Sequence, residues 1–184
     1  LNLNMKRKKN FNSQFGILFF ITGLSGAGKS SLARKIKPYI QQKFGKTIII
    51  SSEKLRNFFK LKGFSQKARE EVGKNNIKLL KYIISQKINI IYDAIGLREK
   101  LRKMKRKSFK NYCEIYIKTS AKQTFKLKKK PTIYKKNNKN IVGLHIKAEI
   151  PKSPDILVVN DYKKNLNELC EEMKNKIEKK INLY

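Results

Sequence analysis

Cysteines, acidic residues and long apolar runs are scarce in this chain of 184 residues. Its two cysteines, Cys113 and Cys170, cannot build a disulfide framework, so we expect a reducing compartment, the cytoplasm. No apolar run approaches the ~20 residues that cross a bilayer, so no membrane partner is expected. Hydrophobic residues nevertheless make up 40% of the chain, which excludes a disordered tail and a collagen-like repeat.

The scarcity of acids leaves a large positive charge, because 45 Lys and Arg face 13 Asp and Glu. Arginine accounts for seven of these cations, and lysine is abundant together with asparagine and isoleucine. That combination indicates a coding sequence rich in A and T, so the clustering of charge is more informative than its total. The basic stretch Arg98–Lys110 lacks the interleaved aromatic side chains that stack on bases. We therefore expect it to form a solvated helix face, and we do not expect a nucleic-acid partner.

Residues 1–14 are polar and basic, and they read as a disordered lead-in to one domain at residues 15–184. Apolar runs predict five strands: Gly16–Thr22, Lys46–Ser51, Ile88–Asp93, Tyr112–Lys118 and Asp155–Val159. Helical spacing predicts helices at Gly28–Lys43, Gln66–Gln86, Leu97–Phe109, Ser120–Lys129 and Lys163–Lys180. The alternation predicts an α/β protein with a mostly parallel five-stranded sheet and helices on both faces.

The segment GLSGAGKS at residues 23–30 matches the phosphate-binding pattern G-x-x-x-x-G-K-[ST], with a strand before it and a helix after it. Glycines let successive backbone N–H groups surround phosphate oxygens, and the helix directs its positive end toward them. Lys29 would reach the β- and γ-phosphates, and the Ser30 hydroxyl would ligate Mg²⁺. The pattern predicts a P-loop NTPase fold that binds ATP and Mg²⁺. The expected nucleotide-binding residues are Gly23, Leu24, Ser25, Gly26, Ala27, Gly28, Lys29, Ser30 and Ser31.

Phosphoryl transfer also needs carboxylates, to hold the metal or to accept the proton of the attacking hydroxyl. Asp93 ends the third predicted strand, beside the P-loop strand in this topology, and is our second metal ligand. Glu53 follows the second strand and would face the same cleft. We therefore assign catalytic roles to Lys29, Asp93 and Glu53. The alternatives to these catalytic roles are structural. Asp93 would then cap the end of its strand, and Glu53 would lie at the N-terminus of a helix.

The P-loop sequence ITGLSGAGKSSLA at residues 21–33 resembles that of adenylylsulfate kinases, and the resemblance extends from about residue 17 to residue 161. It includes the segments KGFSQKAR at 62–69, IGLRE at 95–99 and PKSPD at 151–155. The resemblance implies transfer of the γ-phosphoryl group to the ribose 3′-hydroxyl of a small nucleotide acceptor. By position it implies these acceptor-binding roles: Phe64 stacks on the base, Arg56 and Arg69 hold the anionic group, Lys139 in a lid approaches the phosphates, and Ile95 lines the site.

The chain departs from the family pattern at Ser51, Val72 and Gly96, where the family has an aspartate, an asparagine and a serine. Asp93 replaces a small residue of the family, so the acid that is lost at position 51 would be replaced by the one at position 93. The short spacing from 51 to 65 resembles a side branch that includes cytidine diphosphoramidate kinases. Two acceptors therefore stay open, adenylylsulfate and a cytidine diphosphoramidate-type nucleotide. A decayed ATP-binding protein that engages nucleic acid or a partner is a third alternative, and a homodimer also stays open.

The inherited role of Phe64 predicts that Phe64→Ala raises the KM for the acceptor and leaves the KM for ATP unchanged. Stacking of a base on an aromatic ring contributes about 1–3 kcal/mol, which corresponds to roughly tenfold or more in KM. Steady-state kinetics with each substrate varied in turn measures both constants. If the substitution changes only the thermal stability of the protein, Phe64 is a core residue instead.

Overall fold

The computed structural model describes residues 9–61, 63, 65–126 and 141–183. Its strands are β1 Lys9–Phe11, β2 Leu18–Gly23, β3 Thr47–Ser51, β4 Asn89–Ala94, β5 Tyr112–Lys118, β6 Ile156–Val159 and β7 Ile181–Leu183. Its helices are α1 Lys29–Phe44, α2 Ser52–Phe58, α3 Gln66–Ser85, α4 Glu99–Ser108, α5 Ala121–Lys126 and α6 Leu166–Lys180. None of these helices is both long and apolar enough to cross a lipid bilayer, among the residues described.

The main sheet has five parallel strands, as the sequence predicts, and their order is β3-β4-β2-β5-β6. Every residue of the central strand β2 is buried, because helices cover both faces of the sheet. One face packs against α1 and α6 through residues such as Ile36 and Met173. The other face includes Phe20 and packs against α3, through residues such as Leu80. The carboxyl end of β2, where the P-loop begins, therefore lies at the middle of the sheet edge.

Helix α2 was not predicted, and it follows β3 without a break. It is seven residues long and none of its residues is fully buried, so it leaves no apolar period in the sequence. It nevertheless carries Glu53 and Arg56, which brings both side chains to the carboxyl edge of the sheet.

The disorder expected for residues 1–14 is wrong for Lys9–Phe11. These residues form β1, which pairs in parallel with β7 at the other end of the described chain, with Lys9 opposite Ile181. Phe11 is 2% exposed and joins the core between the sheet and α6. The Lys9 Nζ atom also pairs with Asp155 at 2.8 Å. The order comes from these long-range contacts, which the polar composition of the segment does not reveal.

The solvated face expected for the basic helix α4 is wrong for two of its cations. Arg102 is buried, donates to the carbonyl oxygen of Glu149 at 2.6 Å and lies 3.5 Å from the carboxylate of Glu114. Lys105 is buried with its Nζ atom 4.5 Å from the centre of the Phe20 ring. Contacts with Glu149, Glu114 and Phe20 therefore withdraw these two cations from water.

We expect Phe11→Ala to destabilise the protein by about 3–5 kcal/mol, because it removes a buried aromatic ring and leaves a cavity. Phe58, which is 79% exposed on α2, provides the matched control. Phe58→Ala should change the free energy of unfolding by less than about 0.5 kcal/mol. Urea denaturation followed by circular dichroism measures both, and equal effects would show that β1 is not part of the folded core.

Candidate active site

The loop between β2 and α1 adopts a conformation that its glycines make possible. Gly26 and Gly28 have φ angles of +83° and +90°, in the region that favours glycine. The loop is held from outside by the segment after β6. Asn160 donates to the carbonyl oxygen of Ala27 at 3.1 Å, and the Tyr162 hydroxyl donates to that of Gly26 at 3.2 Å. The Lys29 ammonium donates to the carbonyl oxygen of Leu24 at 2.7 Å, so it folds back over the loop.

A cavity of about 720 Å³ opens at the carboxyl ends of β2, β3 and β4. A volume of that size suits small-molecule ligands. Most of the site residues expected from the sequence line it: Ser25, Gly26, Gly28, Lys29, Ser30, Ser31, Glu53, Arg56, Arg69, Asp93 and Ile95. Gly23, Leu24 and Ala27 are buried and do not line the cavity. Phe64 and Lys139 lie outside the described residues, as does the predicted lid from residue 127 to residue 140.

Asp93 on β4 lies between the P-loop strand β2 and Ser51 on β3, the position where the family has an aspartate. Its Cα atom is in register with Ile21 on β2 and with Ser51 on β3. Neighbouring strands are about 4.8 Å apart, so the carboxylate at position 93 is one strand away from the absent acid. Asp93 is 3% exposed, and its Oδ2 atom has no hydrogen-bond partner among the residues described. Glu53 also lines the cavity and is exposed in the first turn of α2, two residues after Ser51.

This arrangement fits a magnesium ion. A buried carboxylate oxygen without a partner is costly, and a divalent cation would satisfy it. Magnesium prefers oxygen ligands and is bound by one or two carboxylates together with substrate phosphates. Asp93 and the Ser30 hydroxyl both line the cavity and supply such oxygens.

The two arginines expected to hold an anion share one side of the cavity. The Arg56 guanidinium donates to the carbonyl oxygens of Gly63 at 2.7 Å and Leu61 at 3.3 Å, which ties the chain after α2 to the cavity wall. Burial lowers the pKa of Arg69, and the positive charge of Arg56 lowers it further. The two guanidinium groups are therefore close enough to repel each other, and an anion between them would relieve that repulsion.

The sequence did not identify the contribution of α4. Arg98 at its N-cap and Leu101 and Lys105 within it line the cavity. Residues spaced by three and then four positions lie on the same face of a helix. The sequence contains this signal, but two of the three residues are cations, which are not ordinarily counted as buried. Burial lowers the pKa of Lys105 to about 8, against the opposing effect of the Glu114 carboxylate. The ammonium form still predominates at pH 7.

Solved structures share the fold. A structure of the adenylylsulfate (APS) kinase of Mycobacterium tuberculosis with AMPPNP and APS is similar to the chain with a TM-score of 0.77, at 22% identity, covering 89% of this chain and 98% of that one. A hexameric APS kinase from Thiobacillus denitrificans gives a TM-score of 0.65 at 19% identity, covering 90% of this chain and 29% of that one.

Sequence relatives of known activity extend over most of the chain. A cytidine diphosphoramidate kinase of Campylobacter jejuni is 26% identical, covering 84% of this chain and 92% of the relative. An adenylyl-sulfate kinase of Thermodesulfovibrio yellowstonii is 24% identical, covering 98% of this chain and 93% of the relative. The family model described as adenylylsulphate kinase matches residues 15–159. With its P-loop, its parallel sheet and this match over most of its length, the chain belongs to the adenylylsulfate kinase family of ATP-dependent phosphotransferases.

Proposed function

We propose that the protein transfers the γ-phosphoryl group of ATP to the ribose 3′-hydroxyl of a nucleotide that carries a second anionic group at its 5′ end. One observation carries this proposal. The P-loop lysine Lys29, the buried carboxylate Asp93 and the arginines Arg56 and Arg69 line a single cavity. ATP phosphates would occupy the P-loop end, and the anionic end of the acceptor would lie between the two arginines. Adenylylsulfate is the first candidate acceptor, since it is the substrate that names the family.

A cytidine diphosphoramidate-type nucleotide is the second candidate, because the cavity departs from the adenylylsulfate kinase pattern. The cavity has a serine at position 51, and its buried carboxylate stands one strand away, at Asp93. Val72, another cavity residue, offers no hydrogen bond where adenylylsulfate kinases have an asparagine. Both departures lie on the acceptor side, and a relative that is a cytidine diphosphoramidate kinase covers most of the chain.

The residues of the chain would act mainly by positioning and by stabilising negative charge. Lys29 would leave the Leu24 carbonyl oxygen and donate to the γ-phosphate, where charge develops during transfer. Glu53, which also lines the cavity, would accept the proton of the attacking hydroxyl. Asp93 and Ser30 would hold Mg²⁺, which when bound supplies neutralisation of the phosphate charge.

We expect the protein to consume ATP in the presence of adenylylsulfate or of cytidine diphosphoramidate, and Lys29→Ala to lower kcat by about 10²–10³-fold or more. Lys35, exposed on the same helix α1, provides the matched control, and Lys35→Ala should retain the parent rate. Coupled ADP release, with each acceptor in turn, measures the rates, and circular dichroism checks folding. A folded Lys29→Ala protein with normal turnover would refute the kinase mechanism. If the parent turns over neither acceptor, the decayed-site alternative becomes the first choice.

We expect Asp93→Asn and Glu53→Gln to fail in different ways. Asp93→Asn should raise the Mg²⁺ concentration needed for half-maximal rate and also lower kcat, because a metal ligand is lost. Glu53→Gln should lower kcat by about 10²–10⁴-fold with little change in the Mg²⁺ requirement, because a base is lost. Activity titrated against Mg²⁺ separates the two roles, with Glu71→Gln, an exposed change on α3, as the control. Full rates in both variants would show that neither acid takes part in catalysis.

A further inference from the structure

Lys105 lies in an unusual position for a lysine. It is 3% exposed, and it lines the same cavity as the P-loop and the two arginines. Its Nζ atom lies over the Phe20 ring at 4.5 Å and within 6.0 Å of the centre of the Tyr92 ring. A lysine at the floor of a substrate cavity can meet only other parts of the protein or the substrate.

The described part of the chain forms no hydrogen bond and no ion pair with this ammonium group. Glu114 is the nearby carboxylate that affects its pKa, but that carboxylate already pairs with Arg102 at 3.5 Å and with Arg106 at 3.2 Å. The Glu114 carboxylate also accepts from the Tyr112 hydroxyl at 3.0 Å. Aromatic faces attract a cation but do not replace the hydrogen bonds that it loses when it leaves water. Among the described residues, the three N–H donors of Lys105 therefore have no oxygen acceptor, and water or a ligand in the cavity is left to supply one.

Tyr92 connects Lys105 to the arginine side of the cavity. Its ring is within range of the Lys105 ammonium, and its hydroxyl accepts from Asn76 at 2.9 Å. Burial raises the pKa of the Tyr92 hydroxyl, and the positive charge of Arg56 is close enough to oppose part of that rise. Helices α3 and α4 meet closely here, since a Cβ atom on Gly73 would lie 2.8 Å from the Leu101 side chain. Lys105 thus belongs to the wall that carries Arg56 and Arg69.

We infer that Lys105 binds the acceptor, and that its ammonium group donates to an oxygen of the anionic group at the acceptor's 5′ end. This inference rests on the proposed function, and it adds a third cation to the two arginines. The ligand chemistry is an oxyanion that is not transferred, either a sulfate or a phosphoramidate joined to the 5′-phosphate. Such an oxygen would supply the missing acceptor and would replace part of the lost hydration.

The test compares acceptors with and without the second anionic group. Adenylylsulfate is paired with AMP, and cytidine diphosphoramidate with CMP, and each is titrated calorimetrically into the protein with ADP and Mg²⁺ present. Lys105→Met should weaken binding of whichever acceptor the parent binds by roughly tenfold to a hundredfold, since a charge-assisted hydrogen bond is lost. Binding of the matching monophosphate should change by less than about threefold. Lys105→Arg, which keeps the charge, should restore most of the loss.

Lys103 provides the matched control on the same helix. Its side chain is 71% exposed, it pairs with Glu99 at 2.9 Å, and it does not line the cavity. Lys103→Met should bind every probe as the parent does. A second measurement needs no substitution. Acetylation of the Lys105 amine by acetic anhydride, followed by mass spectrometry, should be slowed by the acceptor and not by its monophosphate.

The possible outcomes separate the inference from the proposed function. If the parent binds the acceptor and Lys105→Met binds it equally well, Lys105 is a structural residue and the inference is wrong, while the proposed function stands. Equal losses for the acceptor and its monophosphate would also overturn the inference, because Lys105 would then contact the base, sugar or first phosphate. If Lys105→Met does not fold, protection of the amine by the acceptor decides. If the parent binds neither acceptor, the proposed function itself fails.

Discussion

The dominant physical constraint in this structure is positive charge that is withdrawn from water at the carboxyl edge of a parallel sheet. The described cavity lining includes six basic side chains but two acidic ones. Most of these cations have partners in the protein, such as Arg98 with Glu70 and Glu149, each at 3.5 Å. The excess of positive over negative side chains in the lining still favours anionic ligands. Both substrates of a nucleotide kinase are anions, and the proposed function follows from that requirement.

The few acids of the chain are placed where the fold needs them. Glu114 and Asp155, whose side chains are nearly buried, neutralise the basic helix α4 and the first strand through Arg106 and Lys9. Removing one member of such a network would leave the others buried and uncompensated. Asp93 is different, because its Oδ2 atom lacks a hydrogen-bond partner in the described part of the chain. This unpartnered oxygen supports the metal-binding role proposed for Asp93.

Local patterns predicted the fold and the ATP half of the site well. Five strands and five helices were recognised because each has its own apolar period, and the P-loop was recognised because eight consecutive residues carry its whole mechanism. Helix α2 leaves no pattern because none of its residues is fully buried, and strands β1 and β7 leave none because each is ordered by the other from the far end of the described chain. Lys105 was missed because its burial depends on Phe20 and Tyr92, which belong to other strands. The spacing of Arg98, Leu101 and Lys105 fits one helix face, but a lysine on such a face is ordinarily interpreted as exposed.

The difference between local sequence patterns and contacts among distant segments also explains why the acceptor is harder to identify than the phosphate donor. The donor site is one continuous loop, and its constrained positions are intact in this chain. The proposed acceptor site is assembled from α2, α3, β4 and α4, so single changes in separate segments can alter it without disturbing the loop. Ser51, Val72 and Gly96, where this chain departs from the pattern that its resemblance implies, all line the cavity. Under the proposed function these departures lie where the acceptor would bind, and they leave the constrained positions of the phosphate-binding loop unchanged.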